Sequence, residues 1–210
     1  MIDFVTSNKA LYQPGTEPEL VDVPAMQYLM IDGAGQPDMM EKDPNNTFQQ
    51  AFSALYGIAY SIKMSHKKGL QPEGYENFKV PPPEGLWWMK DEKFFDMERP
   101  QDWRWTLMLR MPDYVTKTVV QEFAETLVVK KKSEVYRQVR LETYIEGQCV
   151  QLTHIGPYSE EGPNIQRLHQ FAKDHGWQLH GKHHEIYYGD PRRSKPEKLK
   201  TVLRQPVRAS

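Results

Sequence analysis

Apolar and polar residues follow two different periods along this chain, and the two periods predict strands and helices respectively. Alternation or short apolar runs, bounded by glycine, proline or charged residues, predict strands. These strands span residues 25–31, 85–89, 103–110, 135–144, 149–154, 183–188 and 201–206. Apolar residues spaced by three and four predict helices at 48–62, 115–128 and 165–172. The pattern therefore predicts an α+β fold.

Capping residues predict where the helices begin and end. Thr47, with Gln50 three residues later, is typical of a capping box and predicts the start of the first helix. Gly69 is expected to end this helix region. Thr116 is expected to begin the second helix, and the third is predicted to run from Ser159 to His175.

The order strand, glycine-containing loop, helix, strand, strand occurs twice, at residues 25–112 and 149–207. A duplicated module repeats the order of its elements before it repeats their letters. We therefore predict tandem βαββ modules with pseudo-twofold symmetry. The helices are expected on one face of an antiparallel sheet and a concave ligand cleft on the other. The alternative is an ordinary α+β domain with coincidental repetition.

A single domain of 210 residues is expected from the length of the chain. Its predicted parts are a surface arm (1–20), a first module (21–112), a linking helix and strand (113–148) and a second module (149–210). A long charged insertion at 90–102 is expected to affect the rim of the cleft.

Composition excludes several classes of protein. Lys+Arg 27 against Asp+Glu 28 argues against an obligate nucleic-acid binder, which normally has a basic excess. One cysteine permits no internal disulfide and fits a reducing compartment. The first fifteen residues lack a signal-peptide pattern, and no apolar run approaches the roughly 20 residues of a membrane helix. The expected location is the cytoplasm, with no membrane partner.

Glu185 is the main candidate for chemistry. Alternation places His183, Glu185 and Tyr187 on one face of a strand and Ile186 on the other. We expect Ile186 to face the helices, so that Glu185 and Tyr187 face the cleft. A carboxylate among aromatic rings attracts cationic or polarised ligands, and partial burial suits it to act as a general base. The alternative is a surface glutamate paired with a basic residue.

Aromatic residues are candidates for the walls of the cleft. If Leu86 corresponds to Ile186, Trp87 corresponds to Tyr187, and the two rings could hold a flat ligand between them. Adjacent strand residues point in opposite directions, so either Trp87 or Trp88 is expected in the core. The other ligand-binding candidates are Tyr144, Tyr158, His154 and His183. For Tyr144 and Tyr158, a core or rim position is the alternative.

Six of the seven histidines lie between His154 and His184, but their spacing does not match a metal-ligand motif. The Asp32-Gly33-Ala34-Gly35 segment lacks the third glycine of a dinucleotide-binding loop. We therefore expect no metal and no other cofactor. Cys149, within an apolar strand, is expected to be a buried thiol.

Several segments together resemble the GyrI-like small-molecule-binding family. In the second half they are CVQLTHIGPY (149–158), HHEIY (183–187), GDPRR (189–193) and KTVLRQP (200–206). In the first half, GLWW (85–88) and WTLMLR (105–110) are similar to stand-alone members of the family.

The resemblance implies paired βαββ modules around an aromatic cleft that holds a glutamate. By motif, that glutamate is Glu185, and the cleft aromatics are Tyr187 and either Trp87 or Trp88. Some stand-alone members hydrolyse the cyclopropane of DNA-alkylating natural products, so the resemblance implies Glu185 and Tyr187 as catalytic residues. The expected partner is a hydrophobic or aromatic small molecule, cationic ones included. The alternatives are binding without turnover and interaction with a protein such as DNA gyrase.

Overall fold

The computed structural model describes residues 1–37, 46–90 and 98–209. Within them, nine strands form one sheet in which paired strands run antiparallel. The strands are β1 (Glu19–Val23), β2 (Met26–Ala34), β3 (Glu84–Met89), β4 (Trp103–Arg110), β5 (Arg140–Tyr144), β6 (Gly147–Ile155), β7 (Trp177–Leu179), β8 (His183–Tyr188) and β9 (Lys200–Ala209). The helices are α1 (Phe4–Ser7), α2 (Lys9–Tyr12), α3 (Thr47–Met64), α4 (Lys117–Lys131) and α5 (Gly162–Asp174). The predicted α+β fold is confirmed.

Two βαββ modules meet at the centre of the sheet. The order across the sheet is β1-β6-β9-β8-β3-β4-β2-β5, with β7 pairing to β9. The strands of the second module (β6-β9-β8) are thus followed by those of the first in reversed order (β3-β4-β2). This arrangement confirms the predicted pseudo-twofold relation. If Leu86 is placed on Ile186, the axis passes through the cross-strand pair Gly85 and Glu185.

The three long helices cover one face of the sheet. α3 packs on β2 and β4, where Ile31 and Leu107 are buried, and α4 packs beside α3. α5 packs on β6 and β9, where Leu152 and Leu203 are buried. These four residues lie in one row across the sheet, with Gly85 and Glu185 between them. The centre of the row therefore lies between α3 and α5.

The segment before β2 covers the opposite face. Phe4, Leu11 and Tyr12 are buried there in one apolar cluster with Leu86 and Ile186. The prediction of a surface arm is therefore wrong, because these apolar residues supply the cover that this face of the sheet needs. The prediction that Ile186 faces the long helices is also wrong. Consequently Glu185 and Tyr187 point toward the helices.

A buried ionic cluster lies on this second face. His184 contacts Glu146 at 3.0 Å through Nδ1 and Glu84 at 2.9 Å through Nε2. Arg204 contacts Glu146 at 3.3 Å and donates a 2.6 Å hydrogen bond to the carbonyl of Leu11. Tyr12 completes the cluster by donating a hydrogen bond to Glu84. Opposite charges therefore compensate one another inside the protein.

Helix and strand ends differ from the predictions at several places. Asn46, rather than Thr47, caps α3, and its side chain accepts a hydrogen bond from the Gln49 amide. Thr116 caps α4 and Gly69 adopts a left-handed conformation, as predicted. Only the second half of the predicted strand 135–144 is a strand, β5. In the described part of the chain, no helix combines the length and apolar character needed to cross a bilayer.

Candidate functional site

Glu185 lies at the centre of the sheet, beneath the space between α3 and α5. It occupies the middle of β8 opposite Gly85 and is 8% exposed. His183 and Tyr187 share its face of the strand, as alternation predicts, and His183 Nε2 lies 3.3 Å from Glu185 Oε1. The carboxyl is thus nearly enclosed.

A hydrogen bond joins Trp87 to Tyr187, and Tyr187 lies beside Glu185. The Trp87 indole donates to the Tyr187 hydroxyl at 2.7 Å, and Tyr187 shares one face of β8 with Glu185. Burial, followed by the charge of Glu185, raises the pKa of Tyr187 well above its ordinary value, so the phenol keeps its proton. A Cβ atom on Gly85 would lie 2.6 Å from the Tyr187 hydroxyl. The glycine therefore provides the space in which these groups meet.

The expectation that a flat ligand lies between Trp87 and Tyr187 does not fit this geometry. The two side chains are hydrogen-bonded to each other, which leaves no space between them. Trp87 is only 5% exposed and packs against Phe48 and Trp103. Its role in this arrangement is to donate a hydrogen bond.

Trp88 and Tyr144 do not join this site. Trp88 lies on the opposite face, where the Lys182 ammonium is 3.5 Å from the centroid of its ring system. Tyr144 is at the end of β5 and packs against the same apolar cluster as Trp88. Sequence alternation left open which of Trp87 and Trp88 faces Glu185, and the structure places Trp87 there.

A cavity of about 790 Å³ opens beside Tyr187. The aromatic residues that line it are Phe48, Phe52, Tyr56, Tyr158, Tyr187 and Tyr188. The Tyr158 and Tyr187 rings meet edge to face with centroids 5.7 Å apart. The charged residues among the described cavity lining are Asp3, Lys79, Asp190 and Arg192. Glu185 is not among them, so its carboxyl does not reach the surface formed by Tyr158 and Tyr187, which we call the tyrosine wall. Residues 91–97 of the predicted rim insertion lie outside the described residues.

Glu161 is a member of the site that the sequence analysis missed. It precedes α5 and is 3% exposed. Burial, followed by the charge of Glu185, raises the pKa of Glu161 well above its usual range. Its position shortly after Tyr158 was the only available signal, because the predicted helix Ser159–His175 made Glu161 one of several polar residues in a first turn.

Two further histidines near the site are His154 and His169. His154 contacts the Asn164 side chain at 2.9 Å and lies in the same cross-strand row as Thr201 and Tyr187. Burial, followed by the proximity of His183, lowers the pKa of His169 to about 4. Within the described ranges, no group of three or more His, Cys, Asp or Glu side chains is placed to hold a metal ion.

Comparison with known families matches residues 16–208 to the GyrI-like small molecule binding domain. The chain belongs to the GyrI-like family. Two solved structures from Listeria innocua resemble this GyrI-like protein over its whole length. One is an uncharacterized conserved protein with 42% identity, covering 99% of this chain and 100% of its own, with a TM-score of 0.90. The other is described as a hydrolase, with 40% identity, the same coverage and a TM-score of 0.87.

A more distant structure shows the extent of the GyrI-like fold. The C-terminal domain of EcmrR is 12% identical over 92% of this chain and 98% of its own, with a TM-score of 0.58. At this identity the likeness concerns the fold alone. The comparison with curated proteins found no match.

The site of this GyrI-like protein therefore combines an open aromatic cavity with acids behind one wall. The cavity offers apolar surface and ring faces, which suit flat or cationic molecules. Glu185 offers a buried carboxyl group beside Tyr187 and His183. The arrangement can bind a small molecule and place a base near it.

Proposed function

We propose that this protein binds flat aromatic small molecules and hydrolyses those that carry a strained, electrophilic three-membered ring, cyclopropanoid DNA-alkylating compounds among them. The observation that carries the proposal is that Glu185 shares one face of β8 with Tyr187, which lines the cavity. The similarity to a Listeria protein described as a hydrolase supports an enzymatic role.

The aromatic wall accounts for ligand binding. Phe48 and Phe52 meet edge to face, as do Tyr158 and Tyr187, and all four line the cavity. A flat ligand would stack on these rings, and each aromatic contact contributes about 0.5–1.5 kcal/mol beyond burial of area. The ligand thus lies against Tyr187 instead of between Tyr187 and Trp87.

Glu185, which is set back from the cavity beside Tyr187, would act as a general base toward a water molecule that reaches it from the cavity. It takes one proton from a water molecule while the water oxygen bonds to a carbon of the strained ring. The carbon–carbon bond of that ring breaks, and its electron pair moves through the conjugated system to a carbonyl oxygen. This oxygen is then protonated, so the net reaction is the addition of water. The Tyr158 phenol in the cavity wall is the candidate donor to the developing oxyanion.

Replacement of the base tests this role. In Glu185→Gln, hydrolysis should fall by about 10²–10⁴-fold, the usual contribution of a positioned base, because an amide cannot accept the proton of water. Affinity for an uncharged aromatic ligand should change by less than about twofold, since the shape of the side chain is kept. Turnover is measured by mass spectrometry of the water adduct, and affinity by fluorescence titration.

Glu160→Gln serves as the matched control, because Glu160 is an exposed glutamate one residue from Glu161. It should retain wild-type turnover and affinity. Wild-type turnover in Glu185→Gln would exclude the catalytic role. Binding of aromatic ligands with no turnover in the wild-type protein would instead support the alternative function, sequestration of small molecules.

A further inference from the structure

Two acids are buried together behind the tyrosine wall. Glu161 and Glu185 are 3% and 8% exposed, and Glu185 is the charged group whose field acts on Glu161. Among the groups described around Glu161, no lysine or arginine acts on it. An uncompensated pair of buried negative charges is unstable in a protein interior. One of the two acids must therefore be neutral or acquire a cation.

The surroundings of Glu161 identify it as the neutral member. Its Oε1 atom is fully buried and has no hydrogen-bond partner among the described residues. Glu185, in contrast, has His183 Nε2 3.3 Å from its Oε1 atom and shares a face of β8 with Tyr187. The neighbouring Thr201 is uncharged. It lowers the pKa of Glu161, but burial and the charge of Glu185 raise it by more.

The other titratable groups around the pair come from each element that packs there. They are His183 and Tyr187 on β8, Tyr158 before α5, His169 on α5 and His154 on β6. The cavity itself is also lined by four charged residues, Asp3, Lys79, Asp190 and Arg192, and Asp190 acts on Tyr158. Burial, the first cause in both cases, keeps Tyr158 and Tyr187 protonated and uncharged by raising the pKa of each. Burial and His183 lower the pKa of His169 to about 4, so it is neutral as well. Tyr158, Tyr187 and His169 therefore supply no positive charge against a second carboxylate.

We propose that a monocationic aromatic ligand binds in the cavity by displacing the proton of Glu161, which makes Glu161 a specificity-determining residue for charged ligands. The proposal rests on the proposed small-molecule site and adds a proton exchange to it. An uncharged ligand leaves the proton in place.

The tyrosine wall explains how the exchange works without direct contact. A cation that rests on the Tyr158 and Tyr187 rings is attracted by their π faces. The acids lie beside these residues, since Glu161 follows Tyr158 by three residues and Glu185 shares a face of β8 with Tyr187. Because the acids are shielded from water, the field of the cation acts strongly on them. Glu161 then becomes the second counter-charge, and its proton is released to solvent.

Calorimetry with two matched probes tests the exchange. The probes are naphthylmethyl-trimethylammonium, whose charge does not depend on pH, and uncharged naphthylmethanol. Binding is measured between about pH 6 and pH 9 in phosphate and in Tris, which differ in their heats of protonation. For the cation we expect release of about one proton and an affinity that rises by up to about tenfold per pH unit while Glu161 is protonated. The affinity for naphthylmethanol should not depend on pH.

Glu161→Gln removes the exchangeable proton. In this variant the cation should bind with an affinity independent of pH and without proton release, while naphthylmethanol binds within about twofold of wild type. Glu160→Gln should behave like the wild-type protein. If Glu161→Gln does not fold, proton release by the wild-type protein still decides whether binding of the cation is coupled to loss of a proton.

Each result has one meaning. Cation binding by the wild-type protein without proton release would overturn the exchange and leave the small-molecule site intact. Proton release that persists in Glu161→Gln would assign the proton to another group and overturn the role of Glu161. If neither probe binds, the small-molecule site itself is wrong, and the exchange is wrong with it.

Discussion

At the scale of single residues, Gly85 decides which groups can meet at the centre of the sheet. A Cβ atom there would lie 2.6 Å from the Tyr187 hydroxyl and 3.0 Å from the Trp87 indole nitrogen. Both distances are shorter than ordinary contacts with carbon. The absence of a side chain at Gly85 is therefore a condition for the hydrogen bond between Trp87 and Tyr187.

Gly85→Ala should disturb the site and the core together. We expect a loss of about 1–3 kcal/mol in the free energy of unfolding, as in other overpacked cores, and weaker binding of aromatic ligands because Tyr187 must move. Urea denaturation and fluorescence titration measure the two effects. Gly162→Ala is the control, since no atom lies within 4 Å of a Cβ at that position. Equal effects of the two substitutions would contradict this role of Gly85.

Alternation along β8 was sufficient to predict that Glu185 and Tyr187 share a face. Alternation could not predict whether that face is the one covered by the long helices, because both faces of this sheet are covered by apolar residues. An apolar residue such as Ile186 fits either side. Glu161 escaped prediction because its burial comes from the packing of α5 on distant strands, which short-range spacing does not contain.

At the scale of elements, α3 begins at a point where two neighbouring residues, Asn46 and Thr47, are both candidates for its N-cap. Asn46 has extended backbone angles, and its side chain accepts from the Gln49 amide, whereas Thr47 is already the first helical residue. Both residue types favour caps, so the sequence pattern alone could place the helix start wrongly by one residue. The geometry assigns the cap to Asn46.

Substitution of each residue by alanine tests the assignment. Asn46→Ala should lower the free energy of unfolding by about 1 kcal/mol, since an amide of the first turn loses its partner. Thr47→Ala should change it by less than about half that amount, because alanine is a good helix former. Urea denaturation under identical conditions gives both values. A larger loss in the free energy of unfolding in Thr47→Ala than in Asn46→Ala would show that Thr47 is the capping residue.

Most elements were predictable because their apolar period is long and their ends carry turn residues. β4 and β8 have the predicted bounds. The predicted strand 135–144 divides into a turn and β5, since Tyr136 is buried in the core with α3 and α4 while only Arg140–Tyr144 pairs with β2. Weak alternation does not distinguish these two environments.

At the scale of the whole molecule, the buried ionic cluster connects parts that are distant in sequence. Glu84 comes from the first module, His184 and Arg204 from the second, and Tyr12 from the segment before β1. Burial alone lowers the pKa of His184, but the charges and hydrogen bonds of Glu146 and Glu84 outweigh it and raise the pKa to about 9. The folded protein thus binds this proton more tightly than the unfolded chain does.

Stability should therefore fall as pH rises from about 6.5 to about 9. Below the unfolded pKa of histidine the stabilisation is complete, and it is lost as pH passes through the folded pKa of His184. The loss is on the order of 3 kcal/mol. Urea denaturation at several pH values measures it, and His184→Gln should be less stable than wild type at pH 6 and show a smaller loss. The same pH dependence in both proteins would exclude His184 as its source.

The duplication was predictable from the order of elements, because two βαββ units have few ways to pair. The position of the first twenty residues was not. Their apolar side chains are few and irregularly spaced. The burial of Phe4 and Tyr12 depends on the face of the folded sheet against which they pack, and local sequence spacing does not contain that information.

The pseudo-twofold axis passes through two unlike residues, Gly85 and Glu185. Identical glutamates on both copies would place like charges opposite each other, and identical glycines would leave the centre without an acid. With one glycine and one glutamate, the two modules differ chemically at the point where they meet. We therefore expect a ligand with distinguishable ends to bind in one orientation, although the scaffold around the site is nearly symmetric.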